Sequence, residues 1–214
     1  MKQEYKLICL DCDGVLVEGR EFWMDVHKAF GTHEQGKMLT EKYLYNDYKK
    51  LVEEVAHKLW KGKDAKPFLD LVKNRKYMKG IKEFFDFIKK KGWVCAIISG
   101  NDLSLSRRVQ KDFGVDYVFA NELVIKDGKV SGKYNWMVGA GRERKAKIIE
   151  DLCRKLGIDL NEVIYIGDTH YDIEAFKTVG KAIAFNAESE ELKKLAHVVV
   201  DSQDLRDVIP HLET

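Results

Sequence analysis

Two carboxylates stand one residue apart in Leu10-Asp11-Cys12-Asp13-Gly14, directly after an apolar run that contains Tyr5, Leu7, Ile8 and Leu10. A strand that ends this way sets both acids at the edge of a parallel sheet, where open α/β sheets bind their ligands. Like charges so close repel, and ionising both without a counter-charge is costly. The pair implies a shared proton or a bound cation, against the plain alternative of a strand-end turn made of ordinary turn residues. A second acidic pair, Asp168 and Asp172, follows another apolar run and Gly167. Magnesium takes hard oxygen ligands and usually only one or two protein carboxylates beside a substrate phosphate, a role that suits Asp11 and Asp168. Asp172 also reads as the N-cap of a helix carrying Ile173 and Phe176. His170 reads as a loop residue, since no other histidine stands at a metal-site spacing from it.

Two further segments offer anion-binding chemistry. Ser99-Gly100 closes the apolar run that begins at Trp93, and a small hydroxyl followed by glycine lets backbone N–H groups approach an anion. Lys145 begins a helix from which an ammonium can reach the ligand edge of the sheet, although Arg142, Arg144 and Lys147 beside it read as solvated surface.

The elements that must position these residues are legible as alternating patterns. Apolar runs at 93–98, 117–120, 163–166 and 182–185 read as buried strands, with 197–200 as an edge strand. Between them, Ile81, Phe84, Phe85 and Ile88 before Gly92, Leu105, Val109 and Phe113 before Gly114, and Ile149, Leu152 and Leu156 before Gly157 repeat at helical spacing. Strands alternating with helices predict an α/β fold, a doubly wound (Rossmann-like) parallel sheet. Two segments break the alternation. Residues 18–77 contain no good strand and read as a helical cap inserted after the first strand. Its stripes are Phe22, Val26, Ala29 and Phe30, then Leu44, Tyr48, Leu51, Val52, Val55 and Leu59, with Thr40 as N-cap of the second. Asp127-Gly128 lies between two short β-like runs and predicts a small β-hairpin within 122–134. The expected organisation is a core domain of residues 1–17 and 78–214 and a cap domain of residues 18–77.

Composition excludes several classes. The chain has 214 residues, 45% hydrophobic and 11% aromatic, which fits a globular protein with one good core. Its 37 basic and 35 acidic residues leave a net charge of +2, unlike the clustered basic face of a nucleic-acid binder. No run approaches a membrane span, and Met1-Lys2-Gln3-Glu4 does not open a signal peptide. The chain is expected to be cytoplasmic, with neither nucleic acid nor membrane as partner. Cys9 and Cys12 form a C-x-x-C, but residues three apart on a strand face opposite ways and no second pair completes a zinc site.

Taken together, Asp11-x-Asp13-Gly14-Val15, Ser99-Gly100, Lys145 and Gly167-Asp168-x-x-x-Asp172 follow the order of the four motifs of haloacid dehalogenase-like hydrolases, which the chain resembles. The segment 119–132 and the tail Asp204-Leu205-Arg206-Asp207 are similar to the phosphoserine phosphatase branch. The resemblance implies a Mg2+-dependent phosphatase acting on a small phosphorylated metabolite through an aspartyl-phosphate. It implies Asp11 as nucleophile and Asp13 as general acid and then base. Mg2+ would be held by Asp11, the Asp13 backbone carbonyl and Asp168, with Asp172 in support. Ser99, Gly100 and Lys145 would bind the phosphate.

The chain departs from that branch at Gly14, Asn101 and Tyr171. The branch's cap carboxylate and arginine, which hold a substrate amine and carboxylate, have only Glu21 and, for the arginine, Lys49 or Lys50 as counterparts. Phosphoserine is therefore one candidate substrate. A phosphotransferase or phosphomutase would keep every motif, and a non-catalytic scaffold of the same fold would be expected to have lost an acid.

Overall fold

The computed structural model describes residues 4–139 and 142–213, without the side chain of Arg142, so the first three residues read for a leader lie outside it. Seven strands form one sheet in the order β4-β3-β2-β1-β5-β6-β7. They are β1 Leu7–Leu10, β2 Val94–Asp102, β3 Tyr117–Lys126, β4 Lys129–Asn135, β5 Val163–Gly167, β6 Lys181–Phe185 and β7 Val198–Val200. All neighbours pair in parallel except β3 with β4. The expected doubly wound sheet is what the chain builds.

The central strands read as unbroken apolar runs because helices cover both faces, as parallel sheets require. Alternate residues divide between two cores. Ile8, Leu10 and Ile97 pack on one face, and Leu7, Cys9, Ile98 and Tyr165 on the other. Cys9 and Cys12 fall in different cores, and all four cysteines are buried free thiols.

Helices α5 Ile81–Lys91, α6 Leu103–Phe113 and α7 Arg142–Leu156 follow the expected stripes and stop at the expected glycines. Beyond β5 lie α8 Ile173–Thr178 and, after β6, α9 Glu190–Leu195. The segment after β1 is helical, with α1 Phe22–Ala29, α2 His33–Tyr43, α3 Tyr48–Val52, a π-helical stretch Glu53–Trp60 and α4 Lys66–Asn74.

One local expectation is corrected. Thr40 caps nothing, since it lies inside α2. The cap of the next helix is Asp47, whose carboxylate accepts the Lys50 N–H at 2.9 Å. A carboxylate meets an unpaired helix-end N–H better than a threonine hydroxyl already within a helical turn. The small β-hairpin forms where it was expected, as an extension of the main sheet. Strand β3 pairs with β2 as far as Asn121, shifts register, and continues to Lys126. Asp127 and Gly128 then turn it with φ of 51° and 73°, the left-handed pair that a two-residue hairpin turn needs.

Candidate active site

Strand order reverses at β1: β2 and β3 lie on one side of it, β5 to β7 on the other. Such a switch point opens a crevice beyond the carboxyl ends of the central strands. Asp11 follows β1 and Asp168 follows β5, and the Asp11 N–H donates to the Ile166 carbonyl at 3.0 Å. Asp11, Asp168 and Asp172 are buried, and each offers a carboxylate oxygen within 4.8 Å of the others. Carboxylates separated by up to 161 positions in sequence thus share one small volume.

Lys145 is placed among them by the first turn of α7. Its ammonium is buried and donates at 2.7 Å to both Asp11 Oδ2 and Asp172 Oδ1. Asp172 is saturated. Its Oδ1 also accepts the Tyr165 hydroxyl at 2.7 Å, and its Oδ2 accepts the Asp168 and Thr169 N–H groups, both at 3.1 Å. It therefore holds Lys145 and the β5 loop in place and has no oxygen left over for another ligand. Asp168 is different. Its Oδ2 accepts Arg20 Nε at 2.5 Å, while its Oδ1 is buried with no partner among the described residues. Asp13 Oδ1 is in the same condition.

Gly14, a departure from the phosphoserine branch, has a steric explanation. Its φ is +71°, and a Cβ there would stand 2.1 Å from Asp168 Oδ2. The left-handed backbone and the close approach both require glycine.

On the other side of the crevice, Ser99 is buried in β2 and its Oγ accepts the Asn101 N–H at 3.1 Å. The Gly100 carbonyl accepts Asn121 Nδ2 at 2.8 Å, while Asn121 Oδ1 accepts the Val138 and Gly139 N–H groups at 3.0 and 2.8 Å. Asn121 thus ties the Ser99-Gly100 loop to the segment that leads into α7. Asp11, Asp13, Ser99, Gly100, Lys145 and Asp168 all line one cavity. Glu21 lies exposed at its edge, while Lys49 and Lys50 do not line it. Lys50 pairs instead with Glu53 and Glu54 at 3.1 Å.

The sequence reading missed several residues of this arrangement. Arg20 carries no role in the sequence pattern, Asn121 lies only within the segment 119–132, and Tyr165 reads as part of a buried strand. Asn101, named only as a departure from the branch, is buried beside the site, where its side chain favours the ionised form of Asp13.

Electrostatics follow from this burial. Desolvation pushes Asp11 up to about 6, against the attraction of Lys145 and with added repulsion from Asp172. Desolvation likewise pushes Asp13 up to about 7, opposed by Arg75. Asp168 rises well above the usual carboxylate value, through burial first and then Asp11 and Asp172. Burial alone would depress the Lys145 ammonium, but Asp11 and Asp172 together hold it above its ordinary value. Buried carboxylates with orphaned oxygens form an oxygen-only donor set, which fits a hard divalent cation such as Mg2+.

The raised carboxylates make stability depend on pH. In the unfolded chain these groups titrate near 4, at about 3.9 for aspartate. Between that pH and their folded values the native state binds more protons, so their contribution is full below pH 4 and is lost as pH rises through about 7. Asp13→Asn removes one such group. The fall in Tm of the metal-free protein from pH 5 to pH 8 is expected to shrink in that variant by about 3 °C or more, roughly 1 kcal/mol for a chain this size. Superimposable Tm–pH profiles for the two proteins would refute the assignment.

Known proteins give this geometry a lineage. The description haloacid dehalogenase-like hydrolase matches residues 5–180. Phosphoserine phosphatase of Methanocaldococcus jannaschii is 29% identical over the full length of both chains. That of Archaeoglobus fulgidus is 31% identical over 95% of this chain, which spans 58% of that relative. A solved structure described as a phospho-aspartyl intermediate analogue of phosphoserine phosphatase superposes with a TM-score of 0.83 at 29% identity, covering 97% of this chain and 99% of that one. With the family description spanning most of its length, and the four motifs meeting in one crevice, this chain belongs to the haloacid dehalogenase-like hydrolases.

Proposed function

We propose that the protein is a cytoplasmic, Mg2+-dependent phosphatase that hydrolyses a small phosphomonoester through an aspartyl-phosphate on Asp11. The observation that carries the reading is the convergence of Asp11, Asp168 and Lys145 at one end of a cavity. In this reading a carboxylate oxygen of Asp11 attacks phosphorus, dividing one difficult hydrolysis into two displacements. Asp13 gives its proton to the departing alcohol oxygen and afterwards takes one from the attacking water. A group held near 7 serves both directions at neutral pH. Lys145, Ser99 Oγ and the Gly100 N–H hold the phosphoryl oxygens, and Asp172 and Tyr165 keep Lys145 aimed. Asp11, Asp168 and the Asp13 backbone carbonyl would hold Mg2+, with Asp172 in support through the β5 loop. Bound there, the ion would neutralise charge between an anionic nucleophile and an anionic phosphate.

Residues 18–77 serve in this reading as the cap that closes over the site. The relatives' names support phosphomonoester hydrolysis, and they make phosphoserine a candidate substrate. The solved phospho-aspartyl analogue supports the covalent intermediate.

The test is phosphate release from p-nitrophenyl phosphate as Mg2+ is titrated. Release is expected to vanish with chelator, and Asp168→Ala is expected to raise the half-saturating Mg2+ concentration by about 10-fold or more. Release that ignores chelator, or an unchanged titration in the variant, contradicts the proposal.

A further inference from the structure

The cavity that begins at Asp11 is larger than the phosphate needs. Its volume is about 390 Å3, within the roughly 300–1,000 Å3 of small-molecule sites. Beyond the phosphoryl end the helical segment and strand β4 wall it, chiefly with Trp23, Leu44, Tyr48, Val55, Trp60 and Tyr134. The Trp23 and Trp60 rings stack at 6.1 Å and 28°, and Tyr134 meets Trp23 edge-on at 5.6 Å.

The polar atoms of these aromatic side chains already have partners. Trp23 Nε1 donates to the Gly100 carbonyl and Trp60 Nε1 to Thr32 Oγ1, each at 3.1 Å. The Tyr48 and Tyr134 hydroxyls bond at 3.2 Å. His27 Nδ1 lies 2.8 Å from Thr32 Oγ1, and burial, with help from His33, lowers it to about 4, so it supplies no cation at neutral pH.

The charged side chains on the cavity are few. Asp11, Asp13, Lys145 and Asp168 belong to the phosphoryl end. Arg20 has Nε on Asp168, Nη1 on Glu188 and Nη2 on the Asn186 carbonyl. Glu21 is anionic. A substrate carboxylate therefore meets no free cation on this wall among the described residues. Burying an unpaired carboxylate is expensive, whereas apolar surface against these rings is favourable.

We infer that the preferred substrate is the phosphate monoester of an uncharged alcohol with an apolar body, aromatic or aliphatic, larger than the three-carbon skeleton of serine. The inference rests on the phosphatase reading and names its substrate class. Phosphoserine fits poorly, because its carboxylate meets no free cation among the described residues and its short body leaves the aromatic wall unfilled.

Two measurements test it on the full chain with Mg2+. The first is calorimetric binding of non-hydrolysable phosphonates. 3-Phenylpropylphosphonate and heptylphosphonate are compared with 2-amino-4-phosphonobutanoate, the isostere of phosphoserine. At least one apolar phosphonate is expected to bind about 10-fold or more tightly than the amino-acid analogue. The aromatic and aliphatic arms tell which body fits better. Equal binding, tighter binding of the amino-acid analogue, or no binding of any overturns the inference.

The second is turnover. kcat/KM for 2-phenylethyl or hexyl phosphate is expected to exceed that for phosphoserine by about 100-fold, all three being esters of primary alcohols. Phosphate release that favours phosphoserine overturns this inference and leaves the hydrolase reading standing. Selective apolar binding with no release from any ester, p-nitrophenyl phosphate included, sinks the hydrolase reading and leaves the binding preference standing.

Discussion

Asp11→Asn is expected to lower phosphate release by about 10,000-fold or more, the scale on which loss of a covalent nucleophile is felt. The amide keeps the shape of the carboxylate and loses its nucleophilic charge. Folding should survive, for a reason visible in the contacts. Lys145 retains Asp172 at 2.7 Å, and the substitution removes an anion that burial already pushes toward its neutral form. It also relieves repulsion on Asp168. The metal-free variant is therefore expected to melt no lower than the parent. Turnover within tenfold of the parent, in a variant with an unchanged melt, would falsify the nucleophile assignment.

Lys145→Met should damage stability and activity together. Methionine fills most of the same volume, so the change isolates the charge. Two buried carboxylates then face each other without the ammonium that now stands 2.7 Å from each. Breaking a buried ion pair from one side costs about 3–5 kcal/mol. Denaturant unfolding at pH 8 without metal should show a loss of that order. Mg2+ should restore part of it, and Asp11→Asn in the same chain should restore part as well, since neighbouring sites are non-additive. Phosphate release should fall by about 100- to 1,000-fold, the usual cost of one charge-stabilising donor. A stability loss under about 1 kcal/mol would mean that Asp11 and Asp172 do not depend on Lys145 for their burial.

Much of this architecture was legible in the chain because its signals are local. Buried parallel strands need unbroken apolar runs, and those at 93–98 and 163–166 could be read directly. The acids at their ends announced the crevice because a strand terminus fixes where the next side chains lie. Other features depend on distant partners. Asp47 rather than Thr40 caps the helix because α2 runs on past Thr40, a choice that no pattern around Thr40 displays. Strand β3 extends beyond its apolar stretch because β2 holds its first half and β4 its second.

The same holds at the site. Arg20 meets Asp168 across 148 positions, and Tyr165 sits at a strand position where an aromatic reads simply as core. The stripe Leu44, Tyr48, Leu51, Val52 and Val55 read as core packing, yet all five side chains border the cavity. Periodicity shows that a helix has an apolar face and is silent on whether protein or ligand covers it.

The pairing of the Tyr48 and Tyr134 hydroxyls joins two stretches of chain that evolution can alter separately. Tyr48 comes from the segment between the first two motifs, Tyr134 from the hairpin after the second. On the proposed substrate class, choice of alcohol is divided between two loci, and a chimera that borrows residues 18–77 alone would inherit half of the selectivity determinant. Transplanting it whole means moving the β3–β4 ribbon as well, so in this chain the insert and the ribbon should diverge in concert.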